Sequence, residues 1–488
     1  MRPGVATRLD IVYRIVMPSE IPSGQARHQT ENSNAGSEKT AHVQYGYINN
    51  GAQAQTTSDL LAIFRLTTKF PLDARRLSSV DFVLFFCTMI LSTALLLLYW
   101  CPASLTAPSA RNSTEEDWYR KTQAAVDTLQ DWYNVDTGLW KTTNWWNSAN
   151  ILTMLGDYAL VNPDFKKQFV DIAQNTHAKA PGFKGQILKI MTPTSMNTYT
   201  YPNIPPGLKA PPPSNANEGF LNWYYDDEGW WGLAWLKAYD VTEEEAYLNE
   251  AMAIFEDMTK GYDATCGGIW WNKAHEANNA IENELFLAVA AHLANRAPKA
   301  RRDYYLEWTQ RQWRWFQQSG LINPEYNIND GLDISTCRNN NGIVWSYNQG
   351  VILGALVEAD AADHDPTYGA MILRIASAAF KKLKDKDGVI HDVCEPDCGN
   401  DGPQFKGILM RNIQATRKIL GGKLFDPFRT AIRVNAASIW ARDREQNKLG
   451  LVWSGPYHEA TAATQSSALD ALVAAIKAEI HQPRFQAR

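Results

Sequence analysis

The spacing of apolar residues from about residue 115 onward predicts a chain made of helices. Apolar positions recur every three to four residues in twelve segments, the period of an amphipathic helix. Runs with strict two-residue alternation are almost absent, so a sheet core is not expected. The predicted helices are 118–133, 146–160, 165–177, 229–240, 243–260, 280–295, 301–318, 348–361, 367–383, 407–420, 427–441 and 464–481.

Several of these segments share one plan, in which a polar or aromatic loop leads into a helix of small and apolar residues. Examples start at Asn144, Asp227, Asn279 and Tyr347. A helix that is apolar all round is buried, whereas segment 243–260 keeps a charged face and suits an outer layer. Six inner helices inside six outer ones make an all-α (α/α)6 barrel, with the loops before the inner helices meeting at one end. A helical array without closure is the alternative.

The first hundred residues differ from the rest. Residues 1–80 are rich in Ser, Gln, Asn and Thr, and we predict a disordered region that is cytosolic or a mis-assigned extension. Segment 82–100 has no charged residue and is just long enough to span a ~30 Å hydrocarbon core. It is a transmembrane signal anchor or the apolar part of a signal peptide, and residues 101–116 form a stalk. Basic residues precede it and acidic residues follow it, which predicts that the C-terminal part is extracytoplasmic, either membrane-anchored or secreted.

The cysteines fit that compartment. Cys87 and Cys101 belong to or border the apolar segment, and four cysteines lie beyond it, an even number where disulfides are allowed. Cys394 and Cys398 can close a small loop, which leaves Cys266 to pair with Cys337. No histidine near them has the spacing of a zinc ligand set, so no metal and no cofactor are expected.

Composition narrows the class of ligand. The net charge is -5 and the pI is near 6.0, which gives no basic footprint for nucleic acid. The chain has 18 Trp, many of them paired in polar segments. Flat aromatic faces next to polar groups are typical of surfaces that stack on sugar rings.

Two adjacent carboxylates, Asp226 and Asp227, lie within the aromatic segment Asn222-Trp-Tyr-Tyr-Asp-Asp-Glu-Gly-Trp-Trp-Gly. Retaining glycosidases use two carboxyl groups ~5–5.5 Å apart, and neighbouring carboxylates help to keep one protonated. Glu228 is a third carboxylate beside them, and an inverting reaction could use Glu282 or Glu284 as the partner. Because Asp is a favoured N-cap, one of the pair could also serve only as a helix cap.

Five motifs in order resemble one known family. They are Tyr225-Asp-Asp-Glu-Gly-Trp-Trp-Gly, Cys266-Gly-Gly-Ile-Trp-Trp-Asn, Asn279-Ala-Ile-Glu-Asn-Glu-Leu-Phe-Leu, Trp345-Ser-Tyr-Asn-Gln-Gly and Phe405-Lys-Gly-Ile-Leu-Met-Arg. Together they resemble glycoside hydrolase family 76, which comprises endo-α-1,6-mannanases and fungal cell-wall relatives. The resemblance implies a catalytic (α/α)6 domain over residues 117–481 that cleaves internal α-1,6-mannosidic bonds of mannan with retention. It implies that Asp226 is the nucleophile that forms a mannosyl-enzyme intermediate and that Asp227 is the acid/base.

The expected ligand is α-1,6-linked mannan or a mannoprotein glycan, bound by a monomer. Two alternatives remain: a cell-wall transglycosidase acting on mannose-containing glycans or glycolipid-anchored mannoproteins, and a non-catalytic mannan-binding protein. The chain ends in a polar-faced helix and a polar tail, which favours the hydrolase over an anchored transferase. The candidate sugar contacts are Trp145, Asn147, Tyr225, Trp231, Trp271, Asn283, Tyr347, Gln349, Lys406 and Arg411.

Overall fold

The computed structural model describes residues 113–192, 195–213 and 218–480, which contain twelve α-helices. The predicted disordered region 1–80, the apolar segment 82–100 and most of the stalk lie outside the described residues. Within the described part of the chain, no helix has the length and apolar content needed to cross a membrane. The helices are α1 Ser113–Gln130, α2 Trp145–Val161, α3 Lys166–Lys179, α4 Tyr225–Thr242, α5 Glu245–Met258, α6 Ala280–Arg296, α7 Lys299–Gln318, α8 Ser346–Asp363, α9 Thr367–Leu383, α10 Phe405–Ala415, α11 Arg417–Arg442 and α12 Ala462–Glu479.

The even-numbered helices form a closed inner ring. Each of α2, α4, α6, α8, α10 and α12 packs against the next, and α12 packs back against α2. The odd-numbered helices lie outside: α3, α5, α7 and α9 each pack on the inner helix before them, α11 packs on α10 and α12, and α1 covers α12. The predicted all-α (α/α)6 barrel is therefore confirmed, and the unclosed array is excluded.

Glycines let the inner helices approach one another at backbone distance. A Cβ atom added to Gly350 of α8 would lie 2.7 Å from Leu409 Cα of α10. One added to Gly407 of α10 would lie 2.5 Å from Ser467 Cα of α12. Both distances are shorter than real Cβ contacts allow, so these two steps of the ring require residues without a side chain.

Helix boundaries differ from the prediction where aromatic or glycine-rich loops meet helices. The predicted segment 229–240 begins four residues earlier, at Tyr225, so that both aspartates belong to α4. The predicted helices 407–420 and 427–441 are divided differently, because α10 ends at Ala415 and α11 starts at Arg417. The break occurs inside α11, where Gly421 and Gly422 have positive φ angles.

In the described ranges, four short antiparallel strand pairs lie between the helices, and the helical patterns did not predict them. The largest joins β3 Ile187–Met191 to β4 Met196–Thr200, with Ile187 opposite Thr200 and Met191 opposite Met196. We call this pair the site hairpin. The other pairs are β1 Tyr133–Asn134 with β2 Leu139–Trp140, β5 Leu332–Asp333 with β6 Arg338–Asn339, and β7 Arg444–Glu445 with β8 Lys448–Leu449.

Both predicted disulfides are confirmed. Cys266 is bonded to Cys337, with their Cα atoms 5.2 Å apart, and Cys394 is bonded to Cys398, with a Cα separation of 4.7 Å. The first fastens the loop before α6 to the loop before α8. The second closes the turn that precedes α10, next to the site hairpin.

Candidate active site

The two aspartates lie in the first turn of α4, at one end of the inner ring. Tyr224 holds the N-cap position and makes no side-chain cap bond, so neither aspartate is the N-cap residue. Asp226 Oδ1 accepts a hydrogen bond from the backbone N–H of Asp227 at 2.8 Å. The positive end of the helix dipole favours carboxylates in this turn. Asp226 is 3% exposed and Asp227 is fully buried. Because neither is the N-cap residue, helix capping does not account for the position of the pair.

One ammonium group bridges the two carboxylates. Lys189 Nζ, from the site hairpin, lies 2.8 Å from Asp226 Oδ2 and 2.5 Å from Asp227 Oδ1. Because both oxygens contact one atom, they are separated by no more than the sum of these two distances. Burial opposes a charged lysine, yet Asp226 and Asp227 raise the pKa of Lys189 above its ordinary value. A buried ion pair of this kind holds its partners in one geometry.

Neutral donors orient the pair further. Trp271 Nε1 donates to Asp226 Oδ2 at 3.0 Å, and Asn222 Nδ2 donates to Asp227 Oδ2 at 2.7 Å. Asp226 therefore accepts from an indole, an ammonium and a backbone amide. Asp227 has fewer donors and deeper burial.

The environment separates the two aspartates chemically. Burial raises the pKa of Asp227 to about 7, and the negative charge of Asp226 adds to the effect while Lys189 opposes it. A carboxylic acid with such a pKa can both give and take a proton near neutral pH. The site therefore holds one carboxylate with three hydrogen-bond donors and one carboxyl group suited to proton transfer.

Glu228, the third carboxylate, faces another set of partners. Its Oε1 accepts from the backbone N–H of Asn222 at 2.9 Å and pairs with Lys273 Nζ at 2.9 Å. Lys273 also lies 2.7 Å from Asp257 Oδ2 on α5. Burial raises the pKa of Glu228 to about 8. These bonds connect the loop before α4 to Glu228 and, through Lys273, to Asp257 on α5.

Asp401 connects the site hairpin to the inner ring. Its Oδ1 accepts from Trp146 Nε1 at 2.8 Å and from Asn144 Nδ2 at 3.1 Å, at the start of α2. Its Oδ2 accepts from Thr198 Oγ1 at 2.9 Å on the hairpin. The neighbouring Asn400 exchanges two side-chain hydrogen bonds with the backbone of Thr198, each 2.8 Å long. Together these bonds hold the hairpin, and thus Lys189, over the carboxylates.

An aromatic layer lies beneath the pair. Trp230, one turn after Asp226 on α4, stacks on Trp146 with ring centroids 5.6 Å apart and on Tyr347 at 6.5 Å. Tyr347 in turn stacks on Phe405 at 4.0 Å. The layer fills the axis of the barrel with flat apolar faces next to two carboxyl groups.

Two predicted sugar contacts, Trp271 and Tyr347, lie at the carboxylate pair. Trp271 bonds Asp226, as described above. Burial raises the pKa of Tyr347 well above its ordinary value, and the nearby charges of Asp330 and Asp226 add to the shift. Tyr225 shares the first turn of α4, but its ring lies 5.5 Å from Lys273 Nζ, on the Glu228 side.

The other predicted aromatic contacts, Trp145 and Trp231, lie in a packed cluster. Their ring centroids are 5.2 Å apart, and Trp231 also packs on Phe220 and Trp235. Trp145 Nε1 donates to the carbonyl of Ala180 at 3.1 Å. A sugar-binding role for these two stays a prediction.

The predicted amide contacts tie loops to inner helices. Asn147 Nδ2 donates to Gln404 Oε1 at 2.8 Å, and Asn283 Oδ1 accepts from the backbone N–H of Ile269 at 3.0 Å. Gln349 bonds both backbone groups of Ile328, at 2.8 and 2.9 Å. All three amides are fully buried, and sugar contact by any of them remains a prediction.

The two predicted basic contacts are paired within the protein. Lys406 Nζ lies 2.6 Å from Glu395 Oε1 and donates to the carbonyl of Leu451. Arg411 pairs with Asp470 at 3.2 Å. Their predicted contact with sugar would require these ion pairs to open.

The glutamates considered for an inverting reaction lie in the first turns of α6. Glu282 accepts from the backbone N–H of Asn279 and closes a capping box at the start of that helix. Glu284 is fully buried. Burial raises the pKa of both carboxyl groups well above the ordinary value.

Sequence reasoning missed Lys189, Asp401 and Asn222. Asn222 opens the aromatic segment that holds the aspartates, but nothing in that segment marks it as their hydrogen-bond donor. Lys189 and Asp401 lie outside the quoted motifs, and the partners of Lys189 lie 37 and 38 residues away in the chain. One signal was present, because Lys189 lies in the apolar run Ile187-Leu-Lys-Ile-Met. A charged residue between apolar neighbours is rarely buried unless it is paired.

A closed (α/α)6 barrel with two buried aspartates and aromatic faces at the inner-helix N-termini defines the class: the arrangement is that of a glycoside hydrolase. The model of glycosyl hydrolase family 76 matches residues 117–486. The chain belongs to this family.

Curated relatives come from fungi. Over 212 residues the chain is 28% identical to the mannan endo-1,6-alpha-mannosidase DCW1 of Candida albicans. This match covers 39% of this chain and 46% of the relative. Over 211 residues it is 26% identical to the mannan endo-1,6-alpha-mannosidase DFG5 of Saccharomyces cerevisiae, covering 39% and 45%. The matches thus span less than half the length of these curated relatives.

Solved structures share the fold. An inactive variant of the alpha-1,6-mannanase GH76A of Salegentibacter sp. HEL1_6, with two consecutive aspartates replaced and alpha-1,6-mannotriose bound, superposes with a TM-score of 0.61 at 18% identity. The match covers 74% of this chain and 99% of that one. Dfg5 from Chaetomium thermophilum in complex with glucosamine gives a TM-score of 0.59 at 17% identity, covering 75% and 92%.

Proposed function

We propose that this protein is a retaining glycosidase that cleaves internal α-1,6-mannosidic bonds of mannan. The observation that carries the proposal is the buried Asp226–Asp227 pair, in which one ammonium group contacts an oxygen of each carboxylate. This closeness favours the shorter carboxyl spacing of retaining enzymes over the longer spacing of inverting ones. The names of the fungal relatives and the mannotriose in the Salegentibacter structure support the choice of glycan. That neighbour was inactivated by replacing two consecutive aspartates, which supports a catalytic role for this pair.

In the proposed reaction Asp226 is the nucleophile. Its carboxylate attacks the anomeric carbon of the bound mannose, and the bond to the leaving oxygen breaks as a mannosyl ester forms. Asp227, protonated at the start, gives its proton to the leaving oxygen. In the second step Asp227 takes a proton from water, the water oxygen attacks the anomeric carbon, and the ester bond to Asp226 breaks.

Lys189 occupies the space between the two carboxylates where the scissile bond has to lie. Sugar binding therefore displaces its ammonium group from at least one of them. When the ammonium moves away from Asp227, the carboxyl group loses an opposing charge and binds its proton more tightly. Substrate binding and protonation of the general acid are coupled in this way.

The burial of the pair favours a second candidate, transfer of the mannosyl group to another sugar. Asp227 is fully buried beneath the hairpin, so an acceptor that fills the site would reach the ester more readily than bulk water. This transglycosidase would use the same residues and act on mannose-containing glycans or mannoproteins. We propose an extracytoplasmic location for either activity, because both cysteine pairs of the domain are oxidised.

The test is incubation of the full chain with linear α-1,6-mannan, followed by sizing of the products. Asp226→Asn and Asp227→Asn are each expected to reduce the initial rate by ~10²–10⁴-fold or more, because each removes a group that acts in the transition state. Asp171→Asn, on the exposed outer face of α3, is the control and retains the wild-type rate. Retained activity in either site variant would contradict the assignment.

An added acceptor oligosaccharide separates the two candidates. Hydrolysis releases new reducing ends in proportion to bonds cleaved, whereas transfer lengthens the acceptor without a net gain of reducing ends. A wild-type protein that binds mannan but gives neither product would be a non-catalytic mannan-binding protein.

A further inference from the structure

A second cavity, of about 370 Å³, lies at the end of the barrel away from the carboxylate pair. All six inner helices contribute to its lining, mostly with residues from their C-terminal halves. Lys237 lines it and lies on the same helix as Asp227, about 15 Å further along the axis. Trp230 of the aromatic layer also lines it. The cavity is therefore distinct from the proposed catalytic site.

Two lysines of this cavity share one carboxylate oxygen. Lys237 Nζ lies 2.9 Å from Asp157 Oδ1, and Lys477 Nζ lies 2.8 Å from the same atom. An ammonium group has three hydrogens to donate, and this contact uses one from each lysine. Two positive charges thus meet at one carboxylate oxygen, with Asp240 near Lys237 and Asp470 near Lys477 as the other acidic neighbours.

The charges of Lys237 and Lys477 are compensated to different degrees. Asp157 and Asp240 raise the pKa of Lys237, although burial opposes them. Burial lowers the pKa of Lys477, and Asp157 offsets it only in part because Lys237 repels the same charge. A further anion beside Lys477 would therefore favour its charged form.

The lining as a whole has an excess of basic side chains. It includes six Lys and Arg side chains but three Asp and Glu side chains. Arg296 is fully engaged with Asp240 and Glu358, and Arg417 donates to the last carbonyls of α12. Cations at helix C-termini often serve only to compensate such carbonyls. That explanation fits Arg417, but it does not account for two lysines on one aspartate oxygen facing an open cavity.

We propose that this cavity binds a small oxyanion of the phosphate class, held between Lys237 and Lys477. The unused hydrogens of the two ammonium groups supply charge-assisted hydrogen bonds to its oxygens. The volume lies at the lower end of the ~300–1,000 Å³ typical of small-molecule sites, so a phosphate carried on a monosaccharide-sized body also fits.

Calorimetric titration of the full chain with inorganic phosphate, at constant ionic strength set by sodium chloride, tests the proposal. We expect saturable binding to one site, weakened at least tenfold in Lys237→Met and in Lys477→Met. Each variant leaves Asp157 with the other lysine, so the barrel should fold, and thermal unfolding checks this. Lys382→Met, on the exposed face of α9, should bind phosphate as the wild type does.

Lys477→Arg keeps the charge and should retain binding within about threefold. Absence of saturable binding in the wild type would overturn the proposal and leave the lysines a purely structural role. Equal weakening by Lys382→Met would show unspecific attraction. Loss of binding in Lys189→Met, with Lys237→Met and Lys477→Met unaffected, would place the ion at the carboxylate pair instead and would also overturn the proposal.

Discussion

At the scale of single residues, the chemistry of the site depends on how unequal surroundings act on two identical side chains. Asp226 accepts from an ammonium, an indole and a backbone amide, while Asp227 is fully buried with a pKa raised to about 7. Their adjacency was visible in the sequence, but the inequality was not. It arises from the deeper burial of Asp227, which Lys189 and Asn222 offset only in part, and from Trp271, which donates to Asp226 alone.

Removal of Lys189 should move the pH dependence of the reaction. Its charge and hydrogen bond lower the pKa of Asp227, so Lys189→Met raises that pKa further above its ordinary value. Because Asp227 must be protonated when the leaving oxygen departs, the alkaline limb of kcat/KM should move to higher pH by about one unit or more. The measurement is kcat/KM on α-1,6-mannan from about pH 4 to about pH 9, a range that brackets the titration of the acid/base.

Lys189→Arg is the matched control, since it keeps a positive charge beside the pair. Its alkaline limb should stay close to that of the wild type, even if its geometry lowers the rate. An unshifted limb in Lys189→Met would show that the lysine serves the fold and not the protonation state of Asp227.

At the scale of elements, the site hairpin positions the lysine, and loop contacts position the hairpin. The helices around the site were predictable because their apolar period extends over many turns, and segment 367–383 matches α9 at both ends. The hairpin has only five residues in each strand and lies between loops, so its local pattern carries little information. Its contacts with Asn400 and Asp401 span about two hundred residues, which no periodicity can show.

Asn400→Ala should loosen the hairpin without touching the carboxylates. The change removes two hydrogen bonds to the backbone of Thr198. At about 0.5–1.5 kcal/mol for each bond, the hairpin amides should exchange with solvent roughly tenfold faster in native-state hydrogen exchange. The alkaline limb of kcat/KM should move in the same direction as in Lys189→Met, by a smaller amount.

Asn340→Ala offers the comparison for this experiment. Asn340 is exposed and makes a local turn bond to the backbone N–H of Gly342. The exchange of the hairpin amides should not change in that variant. Unchanged exchange in Asn400→Ala as well would mean that other contacts hold the hairpin.

At the scale of the whole molecule, the barrel gives its two ends opposite character. The N-termini of the inner helices carry carboxylates and aromatic faces, and their C-terminal halves carry four of the lysines and arginines of the second cavity: Lys237, Arg296, Arg411 and Lys477. The helix dipole favours this distribution of charge at both ends. The six-plus-six architecture was predictable from the count of apolar segments, whereas closure of the ring was not, because it depends on contacts between helices far apart in sequence.

Closure should be most sensitive where inner helices touch through their backbones. In Gly407→Ala the new methyl group would lie 2.5 Å from Ser467 Cα and 2.6 Å from its carbonyl oxygen, so α10 has to move away from α12. Such overpacking costs about 1–3 kcal/mol, and we expect a lower free energy of unfolding in urea together with a lower melting temperature. Gly369→Ala is the control, because the nearest atom to its methyl group is Ile419 Cγ2 at 3.4 Å, an ordinary contact on the outer helix α9. Since alanine favours helix by up to ~1 kcal/mol over glycine, that variant should be as stable as the wild type or more so. Equal stability of the two variants would show that the ring does not depend on this close contact.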